Sequence, residues 1–151
     1  MDKNIQINIL NSLVVINTER MEGYVTASAE TTDTDLKTFF AELKYTSEQC
    51  REALVGEVVR LGGTADENTK IASKIFRVWM DVKAALTGND RSIILNSCVF
   101  GENIALNTYD DAIRNHIDDL TETQIMMLES HHSYLLANLS KVKYLLNTIK
   151  D

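Results

Sequence analysis

Six polar residues fall on apolar helical faces of this sequence, and chemistry would have to begin there: Asn17, Arg20, Tyr24, Glu102, Glu129 and His132. Glu102 is the focus. It lies in the stretch DRSIILNSCVFGENIALNTYDDAIRNHI, residues 90–117. On a helix of about 3.6 residues per turn, Ile94, Cys98, Gly101, Ala105, Thr108 and Ala112 form one stripe. Glu102 sits at the edge of that stripe, in line with Cys98, Ala105 and Tyr109. A carboxylate facing inward needs a hydrogen-bond donor, a cation or a proton, because burying it alone is expensive.

Two chemistries compete for that role. Glu129 and His132 have Glu-x-x-His spacing, which puts both side chains on one helix face. With Glu102 they would make a partial site for iron or manganese. The alternative is a metal-free polar network of Asn17, Arg20, Tyr24, Glu102, Glu129 and His132, in which Arg, His and Tyr satisfy the acids. The network is the favoured expectation, with no cofactor. His131 is expected to face solvent, since neighbouring residues on a helix point about 100° apart. His116 is expected near a helix C-terminus, where a cation is mildly favoured.

Long helices must carry these residues. The first spans residues 4–30, with Leu10, Leu13, Asn17, Arg20, Tyr24 and Ala27 on one stripe. Thr31–Thr34 is a polar break rich in capping residues. The second helix runs from Leu36 to Leu61 on Leu36, Phe40, Leu43, Ser47, Cys50, Leu54 and Val58, and Gly62-Gly63 stops it. A further helix is expected over 67–86, with Ile71, Ile75, Trp79, Val82 and Leu86 inward. The third long helix is the stretch 90–117. Thr121 and Gln124 form a capping box for the fourth, whose inward row reads Ile125, Leu128, His132, Leu135, Leu139 and Val142. The expected fold class is all-α: a single domain over residues 1–151, four long helices running up-down-down-up, with the extra helix in the crossover between the second and third.

Composition agrees with such a bundle. The chain has 151 residues, 44% hydrophobic and 25% charged, and no proline. Lack of proline suits uninterrupted helices. A net charge of -7 argues against general nucleic-acid binding. There is no secretory leader pattern and no apolar run of membrane-spanning length, so no membrane partner is expected and the cytoplasm is the default location. Cys50 and Cys98 lie on apolar stripes and are expected as buried thiols. Phosphate-binding glycine loops, zinc-type cysteine spacing and a nucleophile elbow are all missing from the sequence.

Several runs resemble an uncharacterised bacterial family of ferritin-like four-helix-bundle domains: Arg77-Val78-Trp79, Lys83–Gly88, Ile94-Leu95, Cys98, Gly101-Glu102 and Tyr109. Glu22-Gly23-Tyr24, Ala27 and Leu61-Gly62-Gly63 fit the same pattern. The resemblance implies the ferritin-like fold and, loosely, a stress-related role, but no agreed activity. Di-iron members of that fold class take one Glu from each of two helices and Glu-x-x-His from each of the other two. Here the second helix has Ser47 and Cys50 at the matching inward positions, and the first has Asn17. At least half of the set is missing, so no di-iron centre is expected. A non-enzymatic bundle acting through interaction, as a homo-oligomer, is the expected function. A degenerate metal-binding protein or oxidoreductase is the alternative.

Overall fold

The computed structural model describes residues 1–66 and 91–149. These residues form four helices and no strand: α1 (Lys3–Glu30), α2 (Thr34–Arg60), α3 (Arg91–Asn115) and α4 (Glu122–Asn147). The chain is therefore all-helical among the described residues. The helix expected over 67–86, with Trp79, lies outside them. No described helix is long and apolar enough to cross a membrane.

Capping explains where the helices start and stop. The Asp2 carboxylate accepts from the backbone N–H groups of Asn4 and Ile5 at the head of α1, satisfying donors that have no partner within the helix. The Thr121–Gln124 capping box forms at the head of α4. α2 ends in a Schellman motif: Gly63 N–H donates to Val58 O and Gly62 N–H to Val59 O, each at 2.9 Å. Gly62 takes φ 88°, the left-handed conformation that closes the motif. Asp33 precedes α2 but makes no side-chain cap. Its carboxylate instead meets Arg91.

The core lies between the four helices. Leu10 and Leu13 of α1 are buried there with Leu36, Phe40, Leu43 and Leu54 of α2, Leu95 of α3, and Leu128 and Leu135 of α4. α1 packs along α2, and α3 along α4; α1 also meets α3, and α2 meets α4. Polar contacts tie the helix ends together. Arg91 at the start of α3 reaches Asp33 at 3.1 Å and Asp35 at 2.6 Å, at the start of α2. At the start of α4, Gln124 Nε2 donates to Glu57 Oε2 of α2 at 2.8 Å and to Gln6 Oε1 of α1 at 3.3 Å. Gln6 Nε2 in turn donates to the backbone oxygen of Asp119 at 3.1 Å.

Gly62 offers a clean test of the α2 stop. No atom lies within 4 Å of where its Cβ would be, so a side chain would meet only the conformational penalty. Gly62→Ala should therefore lower unfolding stability by about 1 kcal/mol, read from urea denaturation. An unchanged midpoint would show that the left-handed turn is not what ends the helix.

Candidate functional site

α1 sets the site. Arg20 and Tyr24 are four residues apart and lie one above the other on the face turned to the core. Both are buried, as is Glu102 on α3. Arg20 Nε and Nη2 donate to Glu102 Oε1 at 3.2 and 2.6 Å. The Tyr24 hydroxyl donates to the same oxygen. Arg20 Nη1 turns the other way and donates to Ser47 Oγ on α2. Three helices are thus joined through one guanidinium. The Arg20 guanidinium carbon also stands 5.5 Å from the Tyr24 ring centroid, and that ring stacks on Phe40 at 5.7 Å.

A second polar chain runs beside the first. Asn17 Nδ2 donates to Leu13 O at 2.9 Å and to the Tyr109 hydroxyl at 2.8 Å. The Tyr109 hydroxyl lies 3.0 Å from His131 Nδ1 on α4. Since the Asn17 amide donates to it, the hydroxyl is free to give its own proton to His131, which fits a neutral ring with its proton on Nε2. The His131 ring meets Tyr109 edge-on at 5.7 Å.

Electrostatics follow from burial and pairing. Burial is the strongest single influence on Arg20 and works against its charge, but Glu102 together with Tyr24 and Cys50 outweighs it and the guanidinium pKa is raised. Burial, with Glu102 adding to it, raises Tyr24 well above the usual phenol range. Burial also raises the Cys50 thiol to about 11. Cys98 is raised by burial and then by the nearby Glu102. Neither thiol is poised as a nucleophile, which needs a lowered pKa. Burial lowers His131 to about 4.

The structure brings together four of the six residues singled out in the sequence, as two neighbouring pairings: Arg20 and Tyr24 with Glu102, and Asn17 with Tyr109. Glu129 and His132 stand apart from them. Glu129 is exposed, and His132 is half-buried with Nε2 3.3 Å from Asp110 Oδ1. The inward imidazole is His131, not His132 as expected, because the buried row of α4 is turned by one residue. It reads Gln124, Leu128, His131, Leu135, Asn138, Leu139 and Val142, so the expected Leu128, Leu135, Leu139 and Val142 are buried while Gln124 and His131 stand in for Ile125 and His132. Three polar residues seven apart, Gln124, His131 and Asn138, mark that row and could have revealed it. Ser47 and Tyr109 complete the two pairings.

Among the described residues, no three His, Cys, Asp or Glu side chains are grouped so as to hold a metal ion. Two acceptors at the centre are unused: Glu102 Oε2 and Asn17 Oδ1 are each buried without a hydrogen-bond partner. What the geometry defines is an all-helical bundle with a charged, hydrogen-bonded centre. The chain belongs to the family described as domain of unknown function (DUF2383), whose model matches residues 6–115. That match includes Asn17, Arg20, Tyr24, Ser47, Glu102 and Tyr109, and ends before α4. No curated protein matches the chain.

Two outcomes follow. Glu102→Gln removes the charge that Arg20 faces and should cost about 3 kcal/mol of stability, since breaking one side of a buried pair strands the other. A loss below about 1 kcal/mol, the scale of an exposed pair, would contradict this. His131 has a folded pKa near 4, against about 6.5 in an unfolded chain. The unfolded state therefore takes up the proton first, and stability should fall as pH drops from about 6.5 to about 4, then level off for this group. His131→Gln should flatten that part of the pH profile of urea midpoints. Identical profiles for the two proteins would count against a buried neutral ring.

Proposed function

We propose that this protein is a ferritin-like four-helix bundle with a protein-made ion pair where metal-carrying relatives of that architecture place ligands, and that it acts without catalysis, by interaction and self-association. The observation that carries this reading is the Arg20 guanidinium on Glu102 Oε1. A permanent cation in contact with the central carboxylate repels a metal ion and satisfies the acid without one. Exposed Tyr45, Val59, Met126, Tyr134, Leu136 and Tyr144 on α2 and α4 supply apolar surface for association.

Support for the up-down-down-up order comes from the helix ends. The starts of α2 and α3 meet through Arg91, which favours parallel directions for these two helices. Gln124 joins the start of α4 to the start of α1 and the end of α2. Those contacts suit α4 running with α1 and against α2.

A second reading is a degenerate iron or manganese site on Glu102, Glu129 and His132. Only the unpartnered Glu102 Oε2 favours it. The donor set does not fit: Glu129 is exposed, and His132 is turned to Asp110.

Metal analysis of purified protein, joined with sedimentation analysis, tests the proposal. Less than one tenth of an iron or manganese per chain is expected, with a species heavier than the monomer at micromolar concentration. Two metal ions per chain, or a monomer at all concentrations, would overturn it.

A further inference from the structure

The buried row of α4, from Gln124 to Val142, faces the core. About half a turn around the helix from it, at about 100° per residue, lie Met126, Ser130, Ser133, Ala137, Ser140 and Tyr144. They recur alternately four and three apart, the rhythm of a helix–helix seam. All six are exposed, with Met126 at 60% and Tyr144 at 69%. The row is symmetric about Leu135. Met126 and Tyr144 stand equally far from that residue, as do Ser130 and Ser140, and Ser133 and Ala137. A second α4 turned end over end therefore sets Met126 against Tyr144, Ser130 against Ser140 and Ser133 against Ala137. Small residues at the middle let the helices come close, and large apolar ones close the ends.

The flanks of the row obey the same operation. Residues on one flank of an antiparallel pair meet the same flank of the other helix. Tyr134, 55% exposed, meets its own copy on one side, and Leu136, 48% exposed, meets its own copy on the other. Glu129 and Lys143 lie on the Leu136 flank at equal distances before and after it, and both are exposed. Each Glu129 thus comes level with the partner's Lys143. Among the described residues, neither side chain has an ion-pair partner within its own chain. Lys141 lies on the Tyr134 flank, where Glu42 of its own α2 stands 3.8 Å away.

We propose that α4 is the contact of an isologous dimer, in which two copies of this chain pack antiparallel along the Met126–Tyr144 row about a two-fold axis level with Leu135. This rests on the self-association reading above and adds its surface and its symmetry. Charge complementarity selects a second copy as the occupant, because the two-fold operation answers Glu129 with Lys143 twice over while it matches large apolar residues to large and small to small.

Sedimentation equilibrium of the whole protein over a range of concentrations tests this. A monomer–dimer equilibrium is expected. Ala137→Arg places a long cation in the middle of the seam and should weaken dimerisation about tenfold or more. Glu129→Lys and Lys143→Glu should each weaken it about tenfold, and the two together should restore the parent Kd, since the pairs are then reversed but intact. All three positions are exposed, so the variants keep the fold. A parent that stays monomeric overturns the self-association reading and this dimer with it. A parent that associates while Ala137→Arg associates equally well, or charge reversals whose effects add instead of cancelling, overturns the α4 contact alone.

Discussion

A carboxylate in the middle of a helical bundle has to be answered by something of opposite character. Water cannot reach Glu102, and no neighbouring main-chain donor is free inside α3 to serve it, because helix formation uses those donors. The chain answers with Arg20. Its guanidinium is planar, stays charged, and carries five donors, so it can grip Glu102 with one edge and Ser47 with another. This choice constrains α1, α2 and α3 at once. Their axial register must let residues 20, 47 and 102 meet, and Tyr24 must stand one turn beyond Arg20 to reach the same oxygen. The leucines around this centre make the bundle stable. The ion pair specifies which residues come level with which.

Burial of this kind is two-sided in energy. Taking a guanidinium and a carboxylate out of water costs several kcal/mol each, and their attraction returns that cost only with good geometry. Here Glu102 Oε1 receives three donors and Oε2 none, so the pairing is lopsided. The Asn17–Tyr109–His131 chain beside it is lopsided in the same way: Asn17 Nδ2 has two acceptors while Asn17 Oδ1 is buried without a donor. Together the two chains make the interior specific in register. A purely apolar interior would tolerate sliding of one helix along another by a turn.

Much of this was legible in the residues alone. Helix positions followed from apolar spacing, because Leu and Phe recur every three or four residues with few competing signals. Gly62-Gly63 marked a stop that only glycine makes cheaply. Glu102 stood out because a charged residue beside Cys98 and Ala105 has to be explained, and Arg20 with Tyr24 lay inward on α1 at the right separation. The rotation of α4 was harder to read. Leu128, Leu135, Leu139 and Val142 are common to the expected and the observed row, so Ile125 with His132 and Gln124 with His131 fit the apolar pattern almost equally. Tertiary partners decide between them: Tyr109 takes His131, and Glu57 with Gln6 takes Gln124. Single-helix periodicity contains no record of such partners. Glu129 followed the same error outward, since its inward placement depended on the His132 row.

The central claim is that Arg20 and Glu102 act as one unit, and a double-mutant cycle measures that unit directly. Unfolding free energies of the parent, Arg20→Met, Glu102→Gln and the double variant would be compared under one condition. The account predicts that each single change is severe and that the second change adds little to the first, giving a coupling of about 2 kcal/mol or more. Additive losses, with coupling below about 0.5 kcal/mol, would mean the two side chains do not depend on each other and would contradict the account.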